Sequence, residues 1–108
     1  MPDKTWKRLE REAATIIRGR RQPSQGVPAP DILGPGNWKW EHKARENLPQ
    51  WLLDAIAQSD EHGPPTGVII SYHPGQGRRV ERFAVVRLEL LAQILRDENV
   101  TDDPQQAI

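Results

Sequence analysis

The sequence contains no cysteine. That removes disulfide frameworks, thiolate zinc sites and a cysteine nucleophile together, and it fits a reducing cytoplasm. Long apolar runs are missing too. Gly67-Val68-Ile69-Ile70 is among the longest, far short of the roughly 20 residues that cross a bilayer. Residues 1–12 are charged and hold no apolar segment, so no secretory leader is expected. The chain is therefore predicted to be soluble and cytoplasmic. Net charge is also lacking, since fifteen Lys+Arg meet fifteen Asp+Glu. That balance excludes a histone-like coat protein and a polybasic membrane binder. Apolar residues make up only 36% of the 108 positions. Such a chain suits one compact domain, expected over 1–96, with part of its core completed by a second subunit.

The charge that is present is unevenly placed. Asp97, Glu98, Asp102 and Asp103 lie in residues 97–108, where no basic residue offsets them. Without those four acids, fifteen basic side chains face eleven acidic ones over 1–96. A mildly basic body with an acidic, flexible tail over 97–108 is the expectation.

Hydrophobic spacing predicts a first helix from about Trp6 to Arg18, capped by Thr5 and ended by Gly19. Trp6, Leu9, Ala13, Ile16 and Ile17 form its apolar stripe, and Glu10 and Glu12 fall on opposite shoulders of it. Arg8 and Arg11 face solvent. Residues 20–30, rich in Pro and Gly, read as a loop. A hairpin follows, from Asp31-Ile32-Leu33 through the turn Gly34-Pro35-Gly36-Asn37 to the alternating stretch Trp38–Lys43.

Pro49 opens a second helix to about Gln58. Its apolar residues, Trp51, Leu52, Leu53, Ala55 and Ile56 among them, cover more than one stripe, which predicts burial on two sides. Strands are expected at Val68–Tyr72 and about Arg82–Val86, then a helix over about Arg87–Arg96 with Leu88, Leu91, Ala92 and Leu95 inward. The order α-β-β-α-β-β-α predicts an α/β fold, a small mixed sheet flanked by helices.

The residues best suited to chemistry are Asp31, after Pro30, and Glu41-His42-Lys43. On a strand, Glu41 and Lys43 share a face, and a hairpin brings Asp31 toward Glu41. Two hard carboxylate ligands suit Mg²⁺, with Mn²⁺ as a substitute. Lys43 is placed to activate a water or to offset charge on a phosphate. The His42 side chain points the other way, but its backbone carbonyl is open to a metal. The bland alternative is a strand that shows a Glu–Lys pair to water.

The arrangement resembles the PD-(D/E)xK nuclease superfamily: Leu9-Glu10-Arg11 on a first helix, then Pro30-Asp31, then Glu41-His42-Lys43. Over roughly 4–96 it is most similar to the small archaeal-type Holliday-junction resolvases and their phage relatives. The resemblance implies a restriction-endonuclease-like core and a homodimer that cuts four-way DNA junctions. It implies Glu10, Asp31, Glu41 and the His42 carbonyl on the metal, with Lys43 assisting the water. Ser24, in Arg20-Arg21-Gln22-Pro23-Ser24-Gln25-Gly26, then lies near the scissile phosphate. Arg20, Arg21, Ser24 and Lys43 contact DNA. Glu12 competes with Glu10 for the first acidic position, and the match to Leu-Glu-Arg favours Glu10. Another small nuclease of the superfamily, restriction-like or for repair, and a non-catalytic DNA-binding module on the same fold are the alternatives.

Other features take plainer readings. Trp6 and Trp51 are expected in a core or an interface. Trp38 and Trp40 lie on the parity opposite Glu41 and Lys43 and are expected in packing, with stacking on an unpaired base as the livelier option. Arg78-Arg79, His62 and His73 read as solvated loop residues, and Pro74-Gly75-Gln76-Gly77 as a turn.

Overall fold

The computed structural model describes residues 2–22 and 28–98. Its elements are α1 (Pro2–Ile17), β1 (Arg20–Arg21), β2 (Ile32–Leu33), β3 (Lys39–Trp40), α2 (Gln50–Asp60), β4 (Val68–Tyr72), β5 (Glu81–Val85) and α3 (Leu88–Asp97). The chain divides into two compact units, Met1–Arg45 with Leu88–Ile108, and Glu46–Arg87. The fold is mixed α/β, as expected. In place of one mixed sheet, the described strands form two antiparallel sheets, β1-β2-β3 and β4-β5.

In the first unit, α1 carries the buried Ala14 and Ile17, β2 carries Ile32, and α3 carries Ala92 and Leu95. Ala13, Ile16, Trp40, Leu88 and Leu91 pack around them. The inward set expected for α3 is thus found. The stripe expected for α1 is turned. Trp6 and Leu9 are exposed, and Glu10 lies on the buried line with Ala14 and Ile17. The spacing 10, 14, 17 is one helical face, but a charged residue on it does not register as part of an apolar pattern.

α1 stops at Ile17 because Arg18 takes a left-handed backbone, φ +62°. The amide of Gly19 then donates to the Ala14 carbonyl at 2.9 Å. Gly19 is required for space. A Cβ there would lie 2.7 Å from the Gly34 carbonyl oxygen and 2.8 Å from that of Leu33. Here the helix end meets the sheet, and β1 begins at once.

β1 is a strand where a loop was expected. It pairs antiparallel with β2, Arg20 opposite Leu33 and Arg21 opposite Ile32. A two-residue strand leaves no alternating pattern; only its pairing creates it. β2 pairs in turn with β3, Ile32 opposite Trp40 and Leu33 opposite Lys39. The connecting turn is the expected one, with Gly34 and Gly36 at φ +89° and +62°, backbone states open to glycine at little cost.

In the second unit, Pro49 precedes α2 as its N-cap rather than starting it. Its carbonyl accepts from the amides of Leu52 and Leu53. α2 has no buried residue, so the two-sided burial expected for it is absent. Leu52, Ala55, Ile56 and Ser59 are half-buried on one side, and Trp51 is 58% exposed. β4 and β5 pair in register from Val68 opposite Val85 to Tyr72 opposite Glu81. An open groove of about 190 Å³ lies between Ile56 and Ser59 of α2 and Val68 and Val85 of the strands. Arg87 clamps Asp60 through two hydrogen bonds, 2.7 and 2.9 Å. That guanidinium holds the Asp60 carboxyl below its ordinary value of 3.8. Residues 74–77 form the expected turn, with Arg78 donating to the Gly75 carbonyl. His62 and His73 are exposed, as expected. No described helix is long and apolar enough to cross a membrane. The tail expected over 97–108 lies outside the described residues from position 99 onward, and Asp97 closes α3.

Candidate active site at the three-stranded sheet

Burial separates Glu10 from Glu12. Glu10 is 6% exposed and is the buried charged residue among those described. From β1, eleven residues on, Arg21 reaches back across the sheet's inner side to it. Its Nε donates to Glu10 Oε2 at 2.9 Å, and its Nη2 lies 2.7 Å from the same oxygen. A carboxylate removed from water needs such a cation, because ionisation there is otherwise strongly disfavoured. Glu12 has no such place. Its side chain is 58% exposed and makes only a 3.8 Å contact with Arg8 one turn before it. Of the two acids, Glu10 faces the sheet.

Asp31 sits where two backbone segments meet. Its carbonyl accepts from the amide of Gln22 at 2.9 Å, and its amide donates to the Trp40 carbonyl at 2.9 Å. Its side chain adds a third tie, with Oδ2 accepting from the His42 amide at 2.7 Å. The Pro-Asp segment is thereby fastened to the middle of Glu41-His42-Lys43. Sequence spacing anticipated this neighbourhood but not the bond. Asp31 engages the backbone of His42, and no bond joins it to the Glu41 side chain.

β3 ends at Trp40, so Glu41 and Lys43 lie beyond the strand on which they were expected. Their exposure still alternates: Glu41 and Lys43 are exposed, while His42 and Ala44 are half-buried. The pair thus presents to solvent together, beside Asp31. The shortening follows from pairing. β2 is only two residues long and offers no further ladder partners past Ile32.

Two of the carboxylates already have protein partners. Glu10 Oε2 is engaged by Arg21, and Asp31 Oδ2 by an amide. Among the described residues, no three His, Asp or Glu side chains are gathered so as to hold a metal ion. In this arrangement Glu10 and Asp31 each give a carboxylate oxygen to a protein partner. Ser24 lies outside the described residues. Arg20 is exposed on β1, on the sheet face opposite Arg21.

Two features were not legible beforehand. The Arg21–Glu10 pair depends on β1, which leaves no sequence signal. The rings of Trp38 and Trp40 stack face to face, centroids 4.7 Å apart and planes 11° apart. Their i, i+2 spacing signalled a shared face, which is what brings them together. Trp6 and Trp51, expected in a core or interface, are 41% and 58% exposed in the chain.

No protein-family model matches the chain, and no curated protein or solved structure matches it.

Proposed function

We propose that this protein is a DNA endonuclease of the PD-(D/E)xK kind, using Mg²⁺ or in its place Mn²⁺, and that its substrate is a four-way DNA junction. The observation that carries the reading is the 2.7 Å bond from the His42 amide to Asp31 Oδ2, which joins the Pro-Asp and Glu-x-Lys segments. Glu10 on the sheet-facing side of α1 supports it, since the resemblance calls for an acid on the first helix. What the chain's own side chains offer a phosphodiester is positive charge: Lys43 is exposed next to His42, which Asp31 engages, Arg45 is exposed two residues further on, and Arg21 has N–H donors beyond those given to Glu10. A two-fold homodimer would present two such sites to a junction of matching symmetry. Exposed Trp51 and Leu53 on α2 support an apolar contact for it.

The test is cleavage of matched linear, flapped and four-way DNA with Mg²⁺ and with Mn²⁺. Selective cutting of the four-way substrate is expected. Equal cutting of all three points to a general nuclease of the same superfamily. Asp31→Asn and Glu41→Gln are each expected to abolish cleavage while DNA binding persists, because neither removes a phosphate contact. Normal cleavage by both variants overturns the site.

A second reading, a DNA-binding module without catalysis, is favoured by one observation. Glu10 already has a cation in Arg21, and the carboxylates are not gathered for another. DNA binding with no turnover under either metal selects it.

A further inference from the structure

Trp40 is the anchored member of the stacked pair. Its Nε1–H donates to the Gly34 carbonyl at 2.9 Å, and its ring packs against the buried residues of the first unit. Trp38 is the outer member and remains 45% exposed although Trp40 covers one of its faces. Aromatic side chains packed in proteins often meet edge to face or offset. A near-parallel pair with a fixed inner ring, unlike an edge-to-face one, leaves one flat indole face directed outward.

The surroundings select what that face takes. Lys39, Lys43 and Arg45 are exposed within seven residues of Trp38, against the exposed acid Glu41 and the half-buried Asp31. The Lys39 ammonium makes one exposed 3.3 Å bond to the Asn37 carbonyl, readily exchanged for a phosphate oxygen. A planar apolar face with the Lys39 ammonium held at the neighbouring Asn37 carbonyl matches a nucleobase on its phosphate backbone. The Trp40 carbonyl accepts the Asp31 amide, so the platform is continuous with the proposed site.

We propose that Trp38 is a stacking platform for an unpaired nucleobase, resting on the Trp40 ring and recognising single-stranded or branch-point DNA. This deepens the nuclease reading and rests on it. Bases inside a duplex are covered on both faces by their neighbours, so the platform discriminates unpaired from paired strands. Each base stacked on an aromatic side chain is worth on the order of a tenfold gain in affinity or more.

The test uses the full chain without added metal, with a fluorescently labelled ten-nucleotide thymidine oligomer and a matched duplex read by anisotropy. Trp38→Leu keeps apolar bulk against Trp40 and removes the π face; Trp38→Phe keeps a smaller one. The leucine variant is expected to lose about tenfold in affinity for the single strand and to bind the duplex as the parent does. The phenylalanine variant is expected to keep most of the single-strand affinity. Parent-like single-strand binding by Trp38→Leu overturns the platform, as does an equal loss on both forms of DNA. If the parent protein cuts or binds DNA while Trp38→Leu matches it, the platform alone falls. If the parent binds neither form, the nuclease reading falls with it.

Discussion

The unit with the shortest strands holds all the buried side chains, and the unit with the longest strands holds none. In Met1–Arg45 with Leu88–Ile108, strands of two residues bring Ala14, Ile17, Ile32, Ala92, Leu95 and the charged Glu10 out of water. In Glu46–Arg87, two five-residue strands pair in full register, yet Ile69 is 77% exposed and Phe83 54%. Ladder length and core formation are therefore separate matters in this chain. Backbone pairing is satisfied locally by a hairpin, whereas burial needs a closely packed second layer: α1 and α3 bury side chains in the first unit, while α2 lies against its sheet with residues no more than half-buried.

This contrast can be broken by substitution. Ile17→Ala removes apolar volume from the first unit's core and is expected to cost about 3 kcal/mol. Leu53→Ala, on the exposed side of α2, is expected to cost under about 0.5 kcal/mol. Urea midpoints measured for both variants check the pair, and equal costs would erase the distinction between the units. Gly19→Ala comes next, at about 2 kcal/mol, because its Cβ would press on two backbone carbonyls that have little room to move. Wild-type stability in that variant would mean that helix end and sheet do not approach as closely as described.

Glu10→Ala sharpens the comparison within α1. It leaves Arg21 without its partner and is expected to cost about 1–2 kcal/mol, below the roughly 3–5 kcal/mol of fully buried pairs because the Arg21 side chain is 35% exposed. Glu12→Ala, by contrast, is expected to lie within about 0.5 kcal/mol of the parent. Thermal unfolding of the two variants side by side separates the acids.

The smallest effect belongs to the second unit. The hydrogen bond from Arg87 lowers the Asp60 carboxyl below 3.8. A depressed folded value stabilises above the unfolded value and is lost as pH falls through the folded one. Stability from this pair is therefore level from neutrality to about pH 5 and declines below about pH 4. Asp60→Asn is expected to flatten that decline slightly in an acid titration of unfolding.

What could be read from residues alone follows from pattern length. Val68–Tyr72 alternates over five positions and is found at the expected bounds, and α3 shifts by only one residue. Arg20–Arg21 is too short to carry a period, and it read as loop. Trp6 and Leu9 drew the apolar stripe of α1 away from Glu10, since an acid counts as polar whatever its partner. At the site, the nearness of Asp31 to Glu41-His42-Lys43 was legible from hairpin spacing. The particular bond, to the His42 amide, was not, because it depends on how the chain leaves β3.

Residue identity and local period were enough to give the absence of cysteine chemistry, the α/β class, the three helices, the stretches that become β4 and β5, and the order of Glu10, Asp31, Glu41 and Lys43. These depend on residue identity and on periods that repeat within one segment. Folding in three dimensions settled that Glu10 and not Glu12 is buried, that Arg21 is its cation, and that Gly19 must stay without a side chain. Each of these depends on a partner brought across a turn or a strand pairing, and no local pattern of side chains encodes such a contact.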